Sequence, residues 1–238
     1  MKKRIVSWIK DQVNKAHSKG IVLGLSGGVD SCVAAALAKE ALGRRRLLAL
    51  ILPIHSQAQD LTDARSCARR LGIKTKLIDL SESYDKLLKV LPASGKIAKA
   101  NLKPRLRMMV LYYFANKLNY LVCGTGNKAE LKVGYFTKYG DGGVDILPLG
   151  DLLKRQVREL ARELGIAQRI ITKKPTAGLW PGQTDEAEMG LLYPELDDIL
   201  ERREKRKKQK LSPDKIRRVE RMIAGSQHKR LNPPVCLI

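Results

Sequence analysis

The sequence predicts an α/β protein built on a doubly wound parallel sheet flanked by helices. Three observations carry this expectation. Apolar runs of strand length recur at 21–25, 47–52, 73–80 and 120–123. The first three alternate with helical stretches, which is the β–α–β–α–β rhythm of a parallel sheet with crossover helices. The first run ends in the adjacent glycines Gly27 and Gly28 and leads straight into an Ala- and Leu-rich helix, a strand–turn–helix junction.

Residues 4–18 read as an amphipathic helix with Ile5, Ile9, Val13 and Trp8 on one face. Strand 21–25 and helix 32–42 follow, and Pro53 stops the second strand, 47–52. Helix 62–71 ends at Gly72 as its C-cap, before the third strand, 73–80. A helix over 82–91 is broken by Pro92, Ala93, Ser94 and Gly95. Helix 103–118 carries Leu106, Met109, Val110 and Phe114, and strand 120–123 runs into Gly124-Thr125-Gly126. Residues 134–143 form a Gly- and Tyr-rich loop, 145–147 a short fifth strand, and 152–164 a helix ended by Gly165. Three breakers and Trp180 make 175–183 a loop, and a short acidic helix begins at Asp185. Residues 195–225 read as helical and basic, ahead of a loose tail at Pro233-Pro234. The expectation is one domain over 1–238, large enough for a sizeable core, with a basic helical segment at 195–230.

The formal net charge is +22 and the pI is near 10.0. Such a chain attracts polyanions. The segment 201–230 holds 13 Lys/Arg against 4 Asp/Glu, a local excess of +9. RNA binding and a solvated basic surface around a site for anionic nucleotides both fit that excess. Aromatic residues are only 5 % and do not interleave with the basic run, which argues against a stacking platform, so no nucleic-acid partner is expected. No apolar run approaches the ~20 residues of a membrane span. The basic, amphipathic N-terminus has no apolar leader core, so cytoplasm is the expected compartment. Cysteines stand alone at 32, 67, 123 and 236 without a Cys-x-x-Cys pair, and histidines at 17, 55 and 228 are scattered. Neither a zinc site nor a disulfide framework is supported.

The chemistry begins at Gly24-Leu25-Ser26-Gly27-Gly28-Val29-Asp30-Ser31. Glycines let a ligand approach the backbone, and the N–H groups of a first helical turn favour an anion. Ser26 and Ser31 add hydroxyls. Asp30 would repel a phosphate unless a cation lies between them, so the stretch implies Mg²⁺ together with phosphate. It is neither a Walker A loop, having no lysine, nor a Gly-x-Gly-x-x-Gly fingerprint. In an open parallel sheet ligands gather at the carboxyl ends of strands. A second polar loop, Gly124-Thr125 to Glu130, stands at another such end, and Glu130 with Asp30 could hold one Mg²⁺.

Ser26–Ser31 resembles the pyrophosphate loop of ATP pyrophosphatases, which cleave ATP between its α and β phosphates. Three further blocks sharpen the likeness: Phe136-Thr137-Lys138-Tyr139-Gly140-Asp141-Gly142-Gly143 after Glu130, the stretch 174–186, and His228-Lys229-Arg230. In this order the four blocks resemble the NAD synthetases over about 20–230. The resemblance implies a Rossmann-like sheet of the adenine-nucleotide-α-hydrolase type. It also implies a ligase that converts deamido-NAD, ATP and ammonia into NAD, AMP and pyrophosphate through an adenylated intermediate. Carried over by position, Gly24 to Ser31, Thr125, Lys154 and Thr176 contact ATP, and Asp30 and Glu130 hold Mg²⁺. Arg105, Phe136, Lys138, Asp145, His228 and Lys229 contact deamido-NAD. Asp30, Lys154 and Asp145 are the residues expected at the chemistry, with the general base for ammonia near Asp145 or Asp185. Trp180 is expected on a loop that closes over ATP. Pro104 stands where the family usually has alanine, a position acceptable in a helix's first turn.

About 20 residues precede the first strand, too few for the glutaminase domain of glutamine-dependent members, so free ammonia is the expected donor. The resemblance also implies a homodimer, and the helix bearing Met108, Met109, Tyr112 and Tyr113 is the expected interface. The rival reading is a tRNA-modifying ATP pyrophosphatase, which shares the first block but not those at 136–143 and 177–186. A non-catalytic nucleotide-binding module would leave Asp30 and Glu130 without a role.

Overall fold

The computed structural model describes residues 1–180 and 182–236. Its elements run α1 (Lys2–Lys15), β1 (Gly20–Gly24), α2 (Val29–Leu42), β2 (Leu47–Ile51), α3 (Ala58–Leu71), β3 (Lys74–Leu77), α4 (Ser81–Val90), α5 (Lys96–Ala100), α6 (Leu102–Leu118) and β4 (Tyr120–Cys123). Then follow α7 (Lys128–Val133), α8 (Lys154–Glu163), α9 (Gln168–Thr172), α10 (Asp185–Met189), α11 (Tyr193–Glu204), α12 (Pro213–Gly225) and α13 (Gln227–Arg230). The four strands form one parallel sheet in the order β3-β2-β1-β4. The doubly wound parallel sheet expected from the sequence is therefore present.

Strand alternation sorts the core into two layers. Ile21, Leu23, Ala49 and Ile51 pack on one face against α1, α2, α3, α8 and α9. Val22, Leu48, Leu50 and Val122 pack on the other against Tyr84 of α4 and Ala115 of α6. Helix α2 is buried almost all round through Ala34, Ala35, Ala36 and Ala38, whose small side chains let it lie close to the sheet. A third cluster, with Val133, Met189, Leu196, Ile199 and Val219, joins α7, α10, α11 and α12 beside the sheet. It places α11 over the carboxyl end of β4, where the site forms.

Several expectations change. The third strand shrinks from 73–80 to Lys74–Leu77, and all four of its residues are exposed. It is the edge of the sheet, so it lacks the two-sided burial of an inner strand. The short fifth strand at 145–147 is a single parallel bridge between Cys123 and Ile146. The helical stretch 195–225 is two helices, divided over 205–212 because Ser212-Pro213 opens α12 afresh. Ile9 and Val13 of α1 are buried as expected, whereas Trp8 is 39 % exposed. Pro104 lies in the first turn of α6.

Candidate active site

Two serines brace the loop after β1. Ser31 Oγ donates to the Gly28 carbonyl at 3.0 Å, and Ser26 Oγ accepts from the Gly28 N–H at 3.3 Å. The two hydroxyls lie 3.1 Å apart. Gly27 turns the chain at φ +83° with its back against α3, where a Cβ would stand 2.5 Å from the Asp60 carbonyl oxygen and 2.9 Å from the Ala64 nitrogen. Both the dihedral and the contact require glycine. Gly27→Ala therefore destabilises the protein by about 2 kcal/mol or more in urea unfolding, with ATP turnover falling in parallel.

Asp30, in the first turn of α2, meets Lys154 of α8 and Asn127 at the start of α7. Lys154 of α8, only 2 % exposed, places Nζ 2.6 Å from Asp30 Oδ2 and 3.3 Å from Glu130 Oε1. Asn127 caps α7: its Oδ1 accepts from the Glu130 N–H at 3.1 Å, and Glu130 Oε2 accepts from the Asn127 N–H at 3.1 Å. The same side chain donates from Nδ2 to Asp30 Oδ1 at 3.1 Å. One residue thus ties the β4 loop to the β1 loop. Tyr193 of α11 is fully buried, and its hydroxyl lies 3.1 Å from both Glu130 Oε1 and Asp185 Oδ2. Asp197, also from α11, accepts the backbone N–H groups of Lys154 and Arg155 at 3.2 and 2.9 Å and so caps α8.

Burial pushes the Glu130 carboxyl up to about 7, with the Lys154 charge pulling it down and Asp30 adding to the rise. Lys154 shifts the other way from an ordinary buried lysine: burial lowers it, and the charges of Asp30 and Glu130 more than reverse this. Burial also raises Asp185, whose Oδ1 has no protein partner.

The cluster opens into a cavity of about 470 Å³. Gly24, Leu25, Ser26, Gly28, Val29, Asp30 and Ser31 line it, as do Thr125, Glu130, Phe136, Lys154, Thr176 and Lys229. Gly27 sits behind the wall. Four further anticipated residues lie outside the lining. Arg105 Nη2 donates to the Lys138 carbonyl at 3.4 Å, and Lys138 Nζ donates to the His228 carbonyl at 2.6 Å, so these three form a chain on the exterior. Asp145, expected at the chemistry, is turned to other work: its carboxylate accepts from Tyr112 Oη at 2.9 Å and from the Val122 N–H at 2.7 Å, which ties α6 to β4. Of the two aspartates considered as a base, Asp185 is the one that faces the cavity.

The segment after α9 forms one wall. Thr176 and Trp180 line the cavity, and Lys96 Nζ of α5 lies 4.0 Å from the Trp180 ring centroid. Pro181, one of the three breakers of the expected loop, lies outside the described residues. The base of this segment is anchored by Lys173, whose Nζ donates to Asp60 Oδ1 at 2.6 Å and Asp63 Oδ2 at 2.9 Å. Arg169 and Gln59 donate to Asp63 Oδ1, both at 3.0 Å. Burial alone would raise the Asp63 carboxyl, and the hydrogen bonds from Lys173, Arg169 and Gln59 hold it below its ordinary value. A depressed carboxylate stabilises the fold above the unfolded pKa, and this contribution is lost as pH falls through the folded one. Asp63→Asn therefore costs about 1–2 kcal/mol at neutral pH, and the deficit narrows in acid-unfolding curves.

Motifs missed on sequence have identifiable signals. Asn127 to Glu130 is an Asn-x-x-Glu capping pattern. Tyr193 and Asp197 sit at i, i+4 on the inner face of α11.

The sequence model of the NAD synthase family matches residues 1–233. The chain belongs to this family. It is similar to an NH(3)-dependent NAD(+) synthetase of Archaeoglobus fulgidus, with 52 % identity over 237 residues, 99 % of this chain and 95 % of that one. Among solved structures, the NMN synthetase of Francisella tularensis is similar at 39 % identity and TM-score 0.93, covering 100 % of this chain and 97 % of that one. An NH3-dependent NAD synthetase from Campylobacter jejuni, solved with nitrate, aligns at 29 % identity and TM-score 0.86, with 99 % and 97 % covered. Within the NAD synthase family the resemblance noted from four motif blocks thus extends along the chain. Among the described residues no helix is long and apolar enough to cross a membrane.

Proposed function

We propose that this NAD synthase family member amidates deamido-NAD with ammonia, using ATP and releasing AMP and pyrophosphate. The observation that carries this reading is the buried Lys154 held between Asp30 and Glu130 at the ends of β1 and β4, with Asp185 facing the same cavity. The nicotinate carboxylate oxygen attacks the α-phosphorus of ATP, and the bond to the β-phosphate oxygen breaks. The loop from Gly24 to Ser31 receives the pyrophosphate, and Lys154 offsets its growing charge. Ammonia then adds to the acyl carbon, loses a proton and displaces AMP. Asp185, raised by burial, is placed to accept that proton, with Tyr193 fixing its orientation.

Asp30 and Glu130 suit Mg²⁺, a hard cation commonly held by one or two carboxylates plus substrate phosphates. The unpartnered Asp185 Oδ1 shows that the cluster retains acceptor capacity. A Mg²⁺ held there would neutralise phosphate charge. Among the described residues no group of three or more His, Cys, Asp or Glu could hold a metal without such phosphates.

A homodimer is part of the same proposal. Met109 and Tyr113, one turn apart on α6, are 61 % and 60 % exposed, near the exterior chain of Arg105, Lys138 and His228. Light scattering should give twice the monomer mass, and Met109→Asp should shift it to the monomer. A cytoplasmic location accords with the use of ATP and free ammonia.

The likeness to the Francisella NMN synthetase supports a second reading, amidation of the nicotinate mononucleotide at the same site. Turnover with Mg-ATP and ammonium, supplied with either deamido-NAD or the mononucleotide, separates the two. A higher kcat/KM for deamido-NAD supports the first reading, and a reversed preference transfers the assignment to the second. Activity that appears only with added tRNA would exclude both.

A further inference from the structure

On the cavity wall away from Lys154, α6 contributes Arg107. Its Nε donates to the Leu52 carbonyl at 2.9 Å, just past the end of β2. This bond fixes the guanidinium plane. Among the described residues, Nη1 and Nη2 have no protein acceptor within hydrogen-bond distance and Arg107 has no ion-pair partner. Of the other cations of the wall, Lys174 is exposed and, among the described residues, makes no hydrogen bond or ion pair, and the remaining three are engaged. Lys154 and Lys173 are paired with carboxylates, and Lys229 Nζ donates to the Gly134 and Phe136 carbonyls at 2.8 and 2.9 Å.

One turn before Arg107 stands a second cation without a carboxylate. Lys103 is 7 % exposed, and its Nζ lies 5.4 Å from the Tyr84 ring centroid. Burial lowers its pKa, and the charge of Arg107 lowers it further, against the favourable charge of Asp85, which is itself paired with His55. Burial lowers Arg107 as well, against the favourable charges of Asp141 and Asp60. Those two acids are engaged elsewhere, Asp60 with Lys173 and Asp141 with the Thr137 N–H at 2.8 Å. Two like charges on one helix face, poorly solvated and unpaired, are costly for the empty protein. An anion entering the cavity would relieve that cost.

Nη1 and Nη2 form a planar fork that matches two oxygens of one phosphate or carboxylate. Position decides between them. The sheet order sets β2 and β4 on opposite sides of β1, so their ends lie about 10 Å apart. The reacting cluster gathers at β1 and β4, and Arg107 is tied to β2. The reacting carboxylate belongs to the first place, which leaves a phosphate for the second.

We propose that Arg107 anchors a nucleotide phosphate, of ATP or of the nicotinate nucleotide, on the β2 side of the cavity, with Lys103 as the charge behind it. This rests on the proposed amidation reaction for the identity of the two nucleotides. Calorimetric titration of the intact protein with Mg-ATP alone and with deamido-NAD alone tests it, on wild type, Arg107→Met, Arg107→Lys and Lys103→Met. Arg107→Met weakens one of the two ligands by about tenfold or more, and the affected arm names the phosphate's source. Arg107→Lys, which retains charge but not the fork, folds normally and stays at least about threefold weaker than wild type for that ligand. Lys103→Met melts, without ligand, at or above the wild-type temperature, because it removes an unpaired buried charge. Unchanged affinities in both arms for Arg107→Lys and Arg107→Met overturn the proposal. So does a Lys103→Met protein that melts well below wild type, which would mark a merely structural pair. A wild type that binds both nucleotides yet makes no amide would instead count against the reaction itself.

Discussion

Lys154→Met abolishes turnover and weakens the fold at the same time. The side chain is 2 % exposed, and its ammonium is shared by Asp30 and Glu130 at 2.6 and 3.3 Å. Methionine has similar length and no charge, so the cavity stays filled while two carboxylates are left facing each other. Breaking a buried ion pair by removing one partner costs about 3–5 kcal/mol, a loss that thermal or urea unfolding reads directly. Turnover falls by about 10³-fold or more, since the charge that meets the departing pyrophosphate is gone. Added Mg²⁺ should recover a larger share of the melting temperature in Lys154→Met than in wild type, because the uncovered carboxylates then lack any other cation. An active, equally stable Lys154→Met protein would show that the lysine is neither counter-ion nor catalyst.

Asp30→Asn separates the two roles. Asparagine keeps the shape, and its Oδ1 can still accept from Asn127 Nδ2, the 3.1 Å contact that joins the two loops. Lys154 retains Glu130 as a partner. Asp30 is also 17 % exposed, so water can solvate the replacement. Stability therefore changes by only about 1 kcal/mol, while Mg²⁺-dependent turnover drops by about 10²–10³-fold. The expected pattern is a melting curve near wild type beside a lost rate. A matched loss of both would mean that Asp30 serves mainly to hold the loop.

The inner sheet was legible because strands buried on both faces leave continuous apolar runs, as 21–25 and 47–52 do. The edge strand was overdrawn for the converse reason: Lys74, Thr75, Lys76 and Leu77 carry no burial signal to mark its ends. The loop from Gly24 to Ser31 was legible because its glycines and hydroxyls have few other uses in that spacing. Arg107 was not singled out over Arg105. Apolar residues surround both, at Leu102, Leu106, Met108, Met109, Val110 and Leu111, so no polar stripe marks which side of α6 meets the cavity. Tyr193 and Asp197 were hidden by their setting in a stretch that reads as a basic, solvated surface. Only tertiary packing turns that face of α11 onto Lys154 and Glu130. Asp145 shows a related ambiguity, since a carboxylate near the end of a strand serves equally well as a brace, here for Tyr112 and Val122.

Attack of the nicotinate carboxylate on the α-phosphate beside Asp30, Glu130 and Lys154 is most directly tested with deamido-NAD carrying ¹⁸O in that carboxylate. Turned over with Mg-ATP and ammonium, it should deliver one labelled oxygen to AMP and leave pyrophosphate unlabelled. The other labelled oxygen stays in the carboxamide of NAD, so release of ADP, label in pyrophosphate, or AMP without label would contradict the account.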